Sequence, residues 1–91
     1  MTLNEFKMLK AGDILITLGV ISSKNGQNNE EFIVPAGTEI LVKSPIYYAE
    51  ILDDYYVVCT TGYRIKNGWR WGELKIGEIS VNSADVEMQK T

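Results

Sequence analysis

Ninety-one residues, 45% of them hydrophobic and 23% charged, with a net charge of −3, have the composition of one ordinary globular domain, residues 1–91, and not of a disordered tail. The chain has no histidine and a single cysteine, Cys59, which removes Ser-His-Asp and Cys-His catalysis, the usual zinc sets and any internal disulfide. No run of about 18 apolar residues occurs, and the start Met1-Thr2-Leu3-Asn4-Glu5-Phe6 lacks a basic stretch and a small-residue cleavage site, so the expectation is a cytoplasmic, non-enzymatic domain with no cofactor, no metal and no membrane.

Thr2 and Glu5 stand at capping-box spacing and open a short helix in which Leu3, Phe6 and Leu9 recur every third residue, with Gly12 as its stop. The period then changes to two. Ile14, Ile16, Leu18 and Val20 alternate, which predicts a strand from about Asp13 with these four on the core face. Ser22 to Asn29 is polar and contains Asn25-Gly26, a type I′ turn signal, so it reads as a long exposed hairpin tip returning through Phe32-Ile33-Val34. Pro35-Ala36-Gly37-Thr38 supplies the next turn. The strand beginning at Thr38 points Ile40 and Val42 inward and Glu39, Leu41 and Lys43 outward, and Pro45 ends it.

Asp53-Asp54 marks a turn between Tyr47 to Leu52, where Ala-Glu-Ile-Leu is also good helix material, and Tyr55 to Thr61, which is rich in strand formers. Asn67-Gly68 marks a further turn. Leu74 to Val81 is the last long strand, and Asn82-Ser83-Ala84-Asp85 is a single turn that delivers Val86 to Met88 to a sheet edge. The order of Leu9-Lys10-Ala11-Gly12-Asp13-Ile14, a long polar tip, Val34-Pro35-Ala36-Gly37-Thr38, Tyr55-Tyr56-Val57-Val58 after an acidic turn, and Asn82-Ser83-Ala84-Asp85-Val86 resembles that of SH3-like small β-barrels. The resemblance implies a mainly β fold: a small SH3-like antiparallel barrel of five to seven short strands with a short N-terminal helix. The Ala-Leu-Tyr-Asp-Tyr-like segment of signalling SH3 domains does not occur, so proline-rich peptide binding is not implied. In size and acidity the chain also resembles small accessory proteins of bacteriophages.

Chemistry concentrates at residues 63–72, Tyr-Arg-Ile-Lys-Asn-Gly-Trp-Arg-Trp-Gly. With Asn67-Gly68 as a two-residue loop, Lys66 opposes Trp69 and Arg64 opposes Trp71, and period two puts all four on one face with each cation beside an indole. Tyr63 to Lys75 carries four cations against Glu73 alone, a net +3, which leaves −6 for the rest of the chain. Arg64, Lys66, Trp69 and Trp71 are therefore the candidate partner-binding residues. Trp, Tyr and Arg dominate protein interfaces, and a protein partner is the leading reading, including a phage-encoded accessory or inhibitor acting on a host protein. The same aromatic-basic face suits single-stranded nucleic acid, which the acidic body disfavours. Alternatively, the indoles close the end of a small core under the basic stems. A structural subunit of a larger assembly is a further reading, and it predicts self-association.

Glu50, Asp53 and Asp54 crowd one turn as a secondary acidic patch, either a solvated turn, a hard-cation site without EF-hand spacing, or a surface that competes with nucleic acid for a basic enzyme. Tyr47, Tyr48, Tyr55 and Tyr56 form either cross-strand packing or a binding strip. Cys59 alternates with Val57 and is expected as a buried small hydrophobe.

Overall fold

The computed structural model describes residues 1–24, 31–67 and 69–89. These form one short helix, α1 (Leu3–Lys7), and eight strands: β1 (Ile14–Thr17), β2 (Ile21–Lys24), β3 (Glu31–Val34), β4 (Glu39–Val42), β5 (Tyr47–Ala49), β6 (Asp54–Asn67), β7 (Arg70–Val81) and β8 (Val86–Met88). All ladders are antiparallel, and the sheet runs β2-β3-β6-β4-β1-β8, with β5 and β7 also paired to β6. It curls into a half-barrel, the mainly β architecture with a short N-terminal helix that the turn order implies. The strands number eight where five to seven short ones were expected, and two are long. Gly62 does not interrupt β6, because the Leu74 side chain packs over it and would meet an added Cβ at 3.2 Å.

β6 is the spine. Its 14 residues, Asp-Tyr-Tyr-Val-Val-Cys-Thr-Thr-Gly-Tyr-Arg-Ile-Lys-Asn, are dominated by branched and aromatic side chains that suit a pleated surface. β3 pairs with it at Arg64 and Ile65, β4 at Cys59 and Thr60, and β5 at Asp54 to Tyr56. The chain from residue 31 to 49 thus follows β6 as a strand broken twice, at Pro35 and at Pro45, where no amide is available for the ladder. β7 lies along β6 from Val81 at one end to Arg70 at the other.

The core gathers Phe6 and Leu9 from the N-terminal segment with Leu15, Val34, Ile40, Val42, Val57, Cys59, Ile79, Val81 and Val86 from the strands. The capping box forms as expected: the Glu5 amide donates to Thr2 Oγ1 at 3.2 Å, and the Thr2 amide donates to Glu5 Oε1 at 3.1 Å. The helix so capped buries Phe6 fully in the core. Gly12 and Gly37 hold φ of +99° and +77°, the left-handed region open to glycine. Asn25-Gly26 lies outside the described residues; on either side of it β2 and β3 pair antiparallel, with Lys24 opposite Glu31.

β1 alternates with the phase opposite to expectation. Leu15 and Thr17 are buried, whereas Ile14 is 39% exposed and Leu18 and Val20 are exposed. Thr17 tolerates the interior because its hydroxyl is fully used, donating to the Pro35 carbonyl at 2.9 Å and accepting from the Thr38 amide at 2.9 Å. β4 has the expected phase, with Ile40 and Val42 inside. Residues 83–85 form the single turn foreseen there, and β8 follows at the sheet edge beside β1. Among the described residues no helix is long and apolar enough to cross a membrane.

Candidate functional site

β6 and β7 continue as a two-stranded ribbon beyond the last β3 pairing at Ile65, so Lys66, Trp69, Arg70 and Trp71 stand clear of the core. Asn67 pairs with Arg70, and Trp69 occupies the turn between them, while Gly68, half of the expected loop, lies outside the described residues. The ribbon register differs from the expected one. Lys66 opposes Trp71 in place of Trp69, and Arg64 opposes Leu74 in place of Trp71.

The core dictates this change. Val57 pairs with Val81 and Cys59 with Ile79, all four facing inward. Continued down the ribbon, the expected register would turn Ile79 and Val81 away from the interior, because it is offset by an odd number of residues. The partner of Lys66 moves by two residues at the hairpin end, and the remaining one is absorbed as a β-bulge: between the Arg64–Leu74 and Lys66–Trp71 pairs, Ile65 alone on β6 faces Gly72 and Glu73 on β7. Glycine suits the bulge, since a Cβ at position 72 would lie 3.3 Å from the Ile65 carbonyl oxygen. The Arg64 guanidinium donates to the Gly72 carbonyl at 2.9 Å and so staples the irregular turn of backbone.

Both indoles are outside the core, Trp69 at 82% exposure and Trp71 at 42%. This excludes their use as the lid of the core. Arg64, Lys66 and Trp71 share the outer face of the ribbon, as expected, but the cation stacked on an indole is Arg70, whose Cζ sits 4.7 Å from the centre of the Trp69 ring. Lys66 Nζ is 3.5 Å from Glu31 Oε2, an exposed pair worth about 0.2 to 1 kcal/mol at most. The outer face continues toward the body as Leu74 and Ile76, both exposed. Next to them a shallow groove of about 270 Å³ is lined by Ile14, Leu41, Gly62 and Ile76. Ile14 was expected inside because its run alternates, whereas Leu74 and Ile76 offered no phase to read, since the apolar residues of their strand change parity between Ile76 and Ile79.

The acidic turn is solvated. Glu50 and Asp53 are exposed, Asp53 has φ of +51°, and its carboxylate accepts from the Tyr48 hydroxyl, which holds that phenol's proton above the usual tyrosine range. Asp54 Oδ1 accepts from the Tyr55 amide at 2.7 Å. Among the described residues no three carboxylates or thiols converge as a cation site requires. The four tyrosines form cross-strand pairs, Tyr47 with Tyr56 at 6.2 Å and Tyr48 with Tyr55 at 5.1 Å between ring centres. Cys59 is buried, and desolvation pushes its thiol up to about 12.

Comparison of the chain with protein-family models, curated proteins and solved structures finds no match. The ribbon tip stands on its own chemistry: an exposed indole with a stacked guanidinium, on a net-positive element carried by a negative body.

Proposed function

We propose that the chain is a non-enzymatic protein-interaction module that grips a protein partner with the tip of the β6–β7 ribbon. One observation carries this reading: Trp69, the largest type of side chain, stands 82% exposed in a turn when an apolar core is at hand. An indole in water gains free energy only when something covers it, and tryptophan and arginine are the residue types that dominate interface energetics. Trp69 is the anchor, Arg70 holds it by stacking, and Trp71 and Lys66 form the adjoining contact face. Arg64 contributes by fixing the bulge that aims Trp71 outward. On this reading the turn order keeps its likeness to SH3-like small β-barrels. The size and acidity fit a phage-encoded accessory or inhibitor protein that acts on a host protein in the cytoplasm.

The protein reports on its own tip, because Trp69 and Trp71 are its two tryptophans. Partners captured from host extract by the native chain should be lost with the Trp69→Ala, Trp71→Ala double variant, and a purified partner should shift the indole emission to shorter wavelength. Capture that is indifferent to both substitutions sinks the proposal.

The Arg70–Trp69 stack favours one other reading, single-stranded nucleic acid, since a base slides readily into an indole-guanidinium sandwich. The −6 charge outside the ribbon opposes it. Oligonucleotides at low salt should then quench the indoles and release on adding salt; an unchanged spectrum rejects this reading.

A further inference from the structure

β7 has one free edge. Among the described residues it pairs only with β6, along its whole length, so the opposite row of amides and carbonyls over 12 residues meets no strand. Such an edge is a template for another strand, and proteins that keep it unused shorten it, place proline in it or cover it. Arg70 to Val81 is long and has no proline, and its residues 70–76 are exposed apart from the half-buried Gly72; the edge devices it does carry, the bulge at Gly72 and Glu73 and the charges of Glu73 and Lys75, are ones that a second copy can match.

We infer that β7 pairs with β7 of a second copy of this chain, antiparallel about a two-fold axis at Leu74. The sequence around that axis is self-complementary in charge and shape. Leu74 opposes Leu74, and Glu73 opposes Lys75 of the second copy, a pair that symmetry makes twice. The bulge spends Gly72 and Glu73 against one partner residue, which brings Trp71 opposite Ile76 of the second copy on the outer face. A continuous apolar strip results from side chains that are exposed in the single chain, Trp71 at 42%, Leu74 at 61% and Ile76 at 79%. Neighbouring registers lose this match. Centring on Lys75 or on Glu78 places like charges face to face. The antiparallel arrangement also sends the two +3 ribbon tips in opposite directions, each toward the acidic body of the other copy.

This inference shares Trp71 with the partner reading but leaves its anchor, Trp69, free, and its tests substitute neither tryptophan, so the two readings fail separately. Sedimentation of the native protein across a concentration series should show a monomer–dimer equilibrium. Glu73→Lys and Lys75→Glu, both at exposed positions, should each weaken association about tenfold by replacing two attractive cross-strand pairs with two repulsive ones, and the double swap should restore it. Leu74→Cys should yield a covalent dimer on mild oxidation, since residues facing each other across an antiparallel ladder lie about 4.5 to 5.5 Å apart between Cα atoms, within disulfide reach. Ile76→Cys should not, and buried Cys59 stays out of the reaction. A native protein monomeric at every concentration overturns the inference, as happens if the edge serves a foreign strand. So does a dimer in which the double swap is no better than the single ones, or in which Ile76→Cys cross-links as well as Leu74→Cys. Circular dichroism of each variant confirms that a loss of dimer is not a loss of fold.

Discussion

The base of the ribbon is locked by a glycine and a tyrosine, and the lock makes substitution at one depend in sign on the other. A Cβ built on Gly77 would fall 2.5 Å from Tyr63 Cε1 and 3.2 Å from Cζ, against about 3.5 to 4 Å for an ordinary carbon contact. The Tyr63 ring has little room to retreat, because it packs edge-on against Phe32 at 5.8 Å between centres with 66° between the planes. Gly77→Ala must therefore push the ring about 1 Å and give up part of an aromatic pair worth about 0.5 to 1.5 kcal/mol. Overpacking of this kind costs about 1 to 3 kcal/mol, and a middle value of about 2 kcal/mol lowers the melting temperature of a chain this size by roughly 8 to 16 °C. With Tyr63→Ala in place the obstacle is gone, and the same Gly77→Ala change should stabilise by about 0.5 to 1 kcal/mol, the ordinary gain from replacing a strand glycine. Thermal unfolding of the native protein, both single variants and the double variant closes the cycle, with an expected coupling near 2.5 kcal/mol. If Gly77→Ala has the same sign and size in both backgrounds, Tyr63 does not fill the space above the glycine and the reasoning fails.

Other substitutions test the rest of the fold. Leu15→Ala should cost about 2 to 5 kcal/mol and Ile14→Ala under about 1 kcal/mol in denaturant unfolding, because Leu15 is wholly buried and Ile14 is 39% exposed; equal losses would restore the opposite phase of β1. Glu5 is held below its ordinary value of 4.5 chiefly by the Thr2 amide and next by the Thr2 hydroxyl. The folded state thus prefers the carboxylate, so the stability it adds is present above pH 4.5 and disappears as pH falls through the lower folded value. Melting of Glu5→Gln beside the native chain should show a gap at neutral pH that closes on acidification, and a widening gap would contradict the capping box. Cys59, buried and with its thiol pushed up to about 12, should resist a thiol reagent at pH 8 until denaturant is added; prompt labelling of the folded protein would contradict its burial.

The order of strands and turns was legible because proline, glycine and paired acids punctuate it, and β4 could be phased because its inward and outward residues differ in kind: Ile40 and Val42 against Glu39 and Lys43. β1 offered no such contrast. Four apolar residues at even positions outweigh Leu15 and Thr17 in any pattern count, yet the core takes the latter pair because the Thr17 hydroxyl bridges the Pro35 carbonyl and the Thr38 amide. That bridge depends on a turn 18 residues away in sequence. At the ribbon the aromatic-basic cluster was readable, and so was the face shared by Arg64, Lys66 and Trp71, but the place of Trp69 in the turn and the pairing were not. Local turn chemistry speaks for the loop, and the core speaks for the register of Val57 with Val81. Only the folded chain shows that the two disagree by three residues, two of them taken up where the hairpin closes at Asn67–Arg70 and one at the bulge.

That disagreement shapes the surface. Without the extra residue at Gly72 and Glu73, strict alternation along β7 from Ile79 and Val81 would turn Trp71 to the inner face, alongside Tyr63 and Lys75. With it, Trp71 comes out beside Lys66 and on the same face as Leu74 and Ile76. The Arg64 guanidinium, bound to the Gly72 carbonyl, keeps the bulge where it is. A single irregularity therefore moves Trp71 from the inner face to an outer face that also carries Arg64, Lys66, Leu74 and Ile76, with Trp69 presented separately at the end of the ribbon. The cost falls on solubility, since those apolar side chains gain nothing in the isolated chain. The bulge, Gly72 and Arg64 together bring Trp71 into water, which is the placement the proposed contact needs.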